Sequence, residues 1–187
     1  MAVPPAAVET RAPAPKAVPH YPYRNPAVPA VGNRAAARNL VAQAAQEQRQ
    51  NRLEAAAGLY REAIRVDPAC VEAHRGLAFV HYRQGNTSGA LEAGELALAL
   101  EPASDPTRFN FALALDRAGF PYDAAVEAEK VIASRPNDVP AHLLLGNLYS
   151  QKLGDPGRAR AHYLKVLEFE PQHAQNTAIR RWLAARP

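Results

Sequence analysis

Three residue types keep one period along this chain. Prolines at 68, 102, 136 and 171 are spaced by 34, 34 and 35 residues. Glycines at 85, 119 and 154 follow at 34 and 35, and alanines at 56, 90, 124 and 159 at 34, 34 and 35. The single extra residue enters every series at the same place, between Tyr149 and Ala159, in the stretch QKLGDPG. A period kept in phase over four units means one supersecondary element, stacked so that neighbours share a core.

Each unit reads as two helices. In residues 71–102, Leu77, Ala78, His81 and Tyr82 follow helical spacing. Gly85 ends that helix, where a left-handed residue is needed. A second helix runs through Ala90, Leu91, Gly94, Ala97 and Leu98, and Pro102 stops it. The next unit opens on Asp105-Pro106, read as an N-cap followed by a first-turn proline. Residues 105–136 and 139–171 repeat this grammar. Residues 37–68 form a degenerate first unit, with Gln43 and Glu47 at apolar slots and no glycine at the turn.

These features resemble the tetratricopeptide repeat family over about residues 37–171. The small residues where helices would meet are Ala44, Ala78, Ala112 and Gly146, preceded by Leu77, Phe111 and Leu145. Ala56, Ala90, Ala124 and Ala159 stand where the family opens its second helix, and Tyr60 and Tyr163 lie one turn later. Two departures stand out. The tryptophan slot of the first helix holds Leu40, His74, Arg108 and His142, and the aromatic slot of the second helix falls to Gly94 and Ala128 in the middle units. The resemblance implies an all-α, right-handed superhelical solenoid of antiparallel helix pairs. Residues 172–187 supply a capping helix, with Trp182 read as packing on the last unit.

The same resemblance implies a concave groove lined by first helices. Its outward positions would be Arg75, Phe79, Tyr82 and Arg83, then Phe109, Asn110, Leu113 and Arg117, then Leu143 and Asn147. The apolar members would make an exposed strip that marks a binding site, unless they pack between neighbouring first helices. Asn110 and Asn147 can grip peptide amides, because an amide side chain both donates and accepts. The arginines favour an acidic partner. The family's carboxylate clamp for chaperone tails is mostly missing: Arg75 and Asn110 fit it, but Phe79, Pro140 and Leu144 do not.

Composition divides by place. Eight of 17 prolines fall in the first 37 residues, with Arg11, Lys16, Arg24 and Arg34 against Glu9. The tail thus carries three of the chain's four net positive charges, and the body is nearly neutral. Such a body argues against nucleic-acid binding, which needs a basic patch. Residues 1–36 read as an extended, partly polyproline arm that cannot order itself. It is a disordered linker, or else a docking arm that orders on a partner or on its own body. The contact segment is then His20-Tyr-Pro-Tyr-Arg-Asn-Pro26, led by Tyr21, Tyr23 and Arg24.

Chemistry is sparse. One cysteine, Cys70, rules out an internal disulfide. Cys70 and His74 lie four apart, but two ligands do not hold zinc. No phosphate loop, nucleophile elbow or metal motif is present, so neither an enzyme nor a cofactor is expected. With no membrane span or signal segment visible, a cytoplasmic protein is expected. The function expected is an interaction module holding a peptide or helix of a protein partner in its groove. The alternatives are a structural subunit anchored by the arm, and self-association with one copy's arm in the next copy's groove.

Overall fold

The computed structural model describes residues 19–186. Among these, nine helices follow an extended stretch: α1 (Arg34–Arg49), α2 (Leu53–Val66), α3 (Val71–Gln84), α4 (Thr87–Leu100), α5 (Asp105–Arg117), α6 (Pro121–Ser134), α7 (Val139–Gln151), α8 (Pro156–Phe169) and α9 (Asn176–Ala184). The first eight make four antiparallel pairs and no strand intervenes among the described residues. This is the all-α solenoid that the period implies.

Local chemistry sets the boundaries. Gly85, Gly119 and Gly154 take φ of 78°, 87° and 66°, the left-handed region where glycine carries no Cβ penalty. The first pair turns without a glycine because Asn51, 34 residues before Gly85, takes φ 58° in its place; asparagine tolerates that region better than most residues. Asn33, Asn86, Asp138 and Asp155 cap α1, α4, α7 and α8, each side chain accepting from the N–H three residues on. Two boundaries differ from the sequence reading. Asp105 is the first residue of α5 rather than its cap, the cap being Ser104, whose hydroxyl pairs with Thr107 at 2.9 Å. Helix α1 also begins at Arg34, inside the segment read as an arm, because Asn33 caps it past the last of the tail prolines.

The core is built from small residues at helix contacts. Ala56, Ala90, Ala124 and Ala159 are all but fully buried. Glycines receive aromatic rings directly: a Cβ at Gly76 would lie 2.2 Å from Tyr60 Cζ, and one at Gly146 would lie 2.6 Å from Tyr163 Cε1. At Gly94, where the second helix lacks its aromatic, Phe111 of the next first helix fills the space, 3.0 Å from an ideal Cβ. Trp182 of α9 meets Tyr163 edge-on at 5.0 Å, which closes the last pair.

The residues in the tryptophan slot have a structural role of their own. His74 Nε2 bonds the Pro68 carbonyl at 2.9 Å and His142 Nε2 bonds that of Pro136 at 2.8 Å. Arg108 donates to the Pro102 carbonyl in the same way. Each polar side chain thus satisfies a carbonyl just past the end of the preceding second helix, where no helical N–H remains to do so.

The stack curves for a visible reason. First helices touch in succession, α1 with α3, α3 with α5 and α5 with α7. Among the described residues no second helix comes within 8 Å, Cα to Cα, of the next second helix. The first helices therefore line the inner side, and clefts open between second helices on the outer side.

Candidate functional site

The inner face carries the sequence-predicted groove residues, but they are less exposed than expected. Tyr82, Phe109, Leu113 and Leu143 are half-buried against the core, because successive first helices press together. Phe79 is half-buried as well. The free apolar strip that the family resemblance implied is thus largely packing between neighbours.

The polar groove residues divide. The Arg117 guanidinium lies 3.8 Å over the Tyr82 ring and donates to the Tyr82 carbonyl, tying α5 to α3. Arg83 reaches Asn51 Oδ1 at 3.3 Å and stands 5.8 Å from the Phe79 ring. Asn147 turns to its own pair and accepts from the Tyr163 hydroxyl at 2.9 Å. Arg75 and Asn110, both half-buried, make no side-chain hydrogen bond among the described residues. Of the predicted groove residues, these are the two polar groups that remain uncommitted.

The arm lies on the opposite side. Residues 20–25 cross the cleft between α4 and α6, on their own chain. Asp123 of α6 accepts the Tyr21 N–H at 2.9 Å and faces His20 Nδ1 at 3.4 Å. Glu95 of α4 accepts the Tyr21 hydroxyl at 3.0 Å, the Asn25 N–H at 3.1 Å and the Arg24 N–H. The Tyr23 hydroxyl reaches Glu127 at 3.4 Å. Arg24 itself stays exposed, 3.7 Å from Glu92. The Tyr21 ring meets Phe111 at 5.9 Å and Phe120 at 5.4 Å, both edge-on, and Tyr23 lies 6.2 Å from Phe111. The two tyrosines therefore rest on the ring that fills the Gly94 gap.

A second anchor lies nearer α1. Gly32 donates to Asp67 Oδ1 at 2.7 Å and Asn33 to the Val66 carbonyl at 3.0 Å. The backbones approach so closely that a Cβ at Gly32 would sit 2.3 Å from the Val66 oxygen. The described arm thus runs along the outer face from the third pair back to the first. Residues 1–18, the first half of the predicted arm, lie outside the described residues.

The charge states follow from these contacts. Burial, with the Glu95 carboxylate as a second cause, pushes the Tyr21 phenol up to about 12. Burial and then Glu127 push Tyr23 up as well. Both phenols remain neutral donors. Glu127 is balanced by Arg108 at 2.5 Å and Lys130 at 2.7 Å, whereas Glu95 has no ion pair among the described residues. Sequence reasoning missed Glu95, Asp123 and Glu127. The available signal was the missing aromatic at Gly94, which lets Phe111 fill that space and meet the rings of Tyr21 and Tyr23.

Among the described residues no cluster of three His, Cys, Asp or Glu side chains could hold a metal ion, and no helix is long and apolar enough to cross a membrane.

Two family models, both of the tetratricopeptide repeat, match residues 42–106 and 139–173. The chain belongs to the tetratricopeptide repeat family. Solved tetratricopeptide repeat structures share the fold. A thermophilic protein of this family from Thermus thermophilus is 24% identical, over 80% of either chain, with a TM-score of 0.62. YrrB, described as having an unusual peptide-binding site, is 20% identical over 82% of this chain and 81% of its own, with a TM-score of 0.67. PilF of Pseudomonas aeruginosa is 20% identical over 81% of this chain and 70% of its own, with a TM-score of 0.72. At these identities the likeness is one of fold. No curated protein matches the sequence. Tetratricopeptide repeats place the chain among protein–protein interaction modules.

Proposed function

We propose that this tetratricopeptide repeat protein is a non-enzymatic scaffold that takes a peptide or helix of a protein partner on its inner face, along α3, α5 and α7. One observation carries the reading: Arg75 and Asn110 stand on adjacent first helices, half-buried and without side-chain hydrogen bonds among the described residues, on the two helices that carry Phe79, Tyr82 and Phe109. A half-buried amide with no partner favours a ligand that can donate and accept at once, as an extended main chain does. Arg75 adds a preference for an acidic partner.

The test is affinity capture from native extract with the full chain and with F109A/N110A. Loss of specific partners in the variant, with helicity unchanged, supports the inner face. Retention of all of them overturns it. An anchor built on the arm is supported less, because residues 20–25 are bonded to their own solenoid.

A further inference from the structure

We propose that the cleft between α4 and α6 on the outer face is a second peptide-recognition site, selective for a Tyr-Pro-Tyr segment, with the chain's own arm as its resident ligand. This does not rest on the inner-face reading, since the two sites lie on opposite sides of the stack.

The receiving groups point to a ligand. With the arm in place, Glu95 and Asp123 are each more than nine-tenths buried. Every hydrogen bond that their carboxylates accept, among the described residues, comes from the arm. A buried carboxylate without a cation or donors carries a large desolvation penalty. The arm covers Glu95 and, with no cation paired to that carboxylate among the described residues, also supplies the donors that offset the penalty.

The chemistry is that of peptide recognition rather than incidental contact. Three main-chain N–H groups, of Tyr21, Arg24 and Asn25, are read by two carboxylates. The last two converge on one oxygen of Glu95, and Asn25 beside them takes φ 47°. Successive N–H groups aimed at one anion form the concavity known as a nest. Selectivity comes from the rings: each tyrosine packs against Phe111 and extends its hydroxyl to a different carboxylate, Glu95 or Glu127. Pro22 between them fixes φ, and the Tyr23 N–H donates to the Tyr21 carbonyl at 3.1 Å, so the segment is partly shaped before it binds, which lowers the ordering penalty. The arm is tethered at Gly32 and Asn33, so it competes for the cleft at the effective concentration of an intramolecular ligand, about millimolar.

The test uses the full-length chain and a fluorescein-labelled peptide of residues 18–27, followed by anisotropy. In wild type the resident arm blocks the cleft. The Y21A/Y23A variant should bind the peptide at least tenfold more tightly than wild type does, and adding E95A should abolish that binding. Equal binding by wild type and variant, no binding by either, or binding indifferent to E95A overturns the proposal. Helicity by circular dichroism, followed through thermal unfolding, reports whether each variant is folded. Should the variants not fold, amide exchange in wild type decides: the Tyr21, Arg24 and Asn25 amides should be protected relative to those of residues 27, 28, 30 and 31, and free-peptide exchange at all three overturns the site. Wild type should be monomeric by light scattering; a dimer that exchanges arms between copies overturns the assignment of the arm to its own cleft.

Discussion

Asn25 donates its main-chain N–H to Glu95 at 3.1 Å, across 70 residues of sequence. The same carboxylate takes the Tyr21 hydroxyl on its other oxygen. One helix residue therefore holds the arm on both sides of Pro22 and Tyr23, at Tyr21 and at Asn25.

A double-mutant cycle measures that hold. Y21F removes a hydroxyl bonded to a charged acceptor, and E95Q removes the charge. In denaturant unfolding we expect a coupling of about 1–2 kcal/mol between them. Additive effects would mean that the hydroxyl and the carboxylate do not interact in solution.

Gly76 should accept no side chain. An alanine Cβ would fall 2.2 Å from the Tyr60 ring, and that ring is buried between α2 and α3. G76A should destabilise by about 1–3 kcal/mol. Y60L in the same chain should recover part of the loss by removing the rigid obstacle. An unshifted midpoint for G76A would refute the packing.

The first turn can be improved. Asn51 holds φ 58° at the place where later pairs use glycine. N51G relieves that strain and gives up only an exposed contact with Arg83 at 3.3 Å. The melting temperature should rise by about 1–4 °C. A fall would show that the Arg83 contact outweighs the backbone term.

Acid should loosen the fourth pair. Burial, then the neighbouring His142, depresses His162 to about 4. His142 donates Nε2–H to Pro136, so its Nδ1 is left as the acceptor facing His162 Nδ1 at 3.0 Å. Tyr149 stacks on the His162 ring, and Glu129 and Arg158 act on its charge from opposite signs. The folded value lies below the ordinary 6.5. The stabilisation is therefore complete above about pH 6.5 and is lost as pH falls towards about 4. His74 and His81 are also lowered, by burial first, and act in the same sense. Melting temperatures from pH 7 to pH 4.5 should fall less steeply in H162Q than in wild type. Identical slopes would remove His162 as the cause.

The stack was legible from the sequence because its markers answer to local rules. Gly85, Gly119 and Gly154 are demanded by left-handed turns, and Ala56, Ala90, Ala124 and Ala159 by close helix contact. The inner face was legible only as a set of positions. Whether Phe109 or Leu143 stands free depends on how tightly successive first helices press together, a property of curvature that one unit does not encode. The arm's tyrosines stood out as a contact segment, but their receptor did not. Glu95 and Asp123 read as ordinary helix-surface acids until α4 and α6 are set side by side and the gap at Gly94 is seen.

The course of the arm also changes how the molecule should come apart. A stack of helix pairs is one-dimensional: each pair knows only its neighbours, and unfolding can begin at an end and spread. Here residues 20–33 join the third pair to the junction of the first two, through contacts about 35 and 102 residues apart in sequence. The first three pairs are thereby closed into a loop of contacts and lose their structure together. The fourth pair and α9 remain free to fray as an open end.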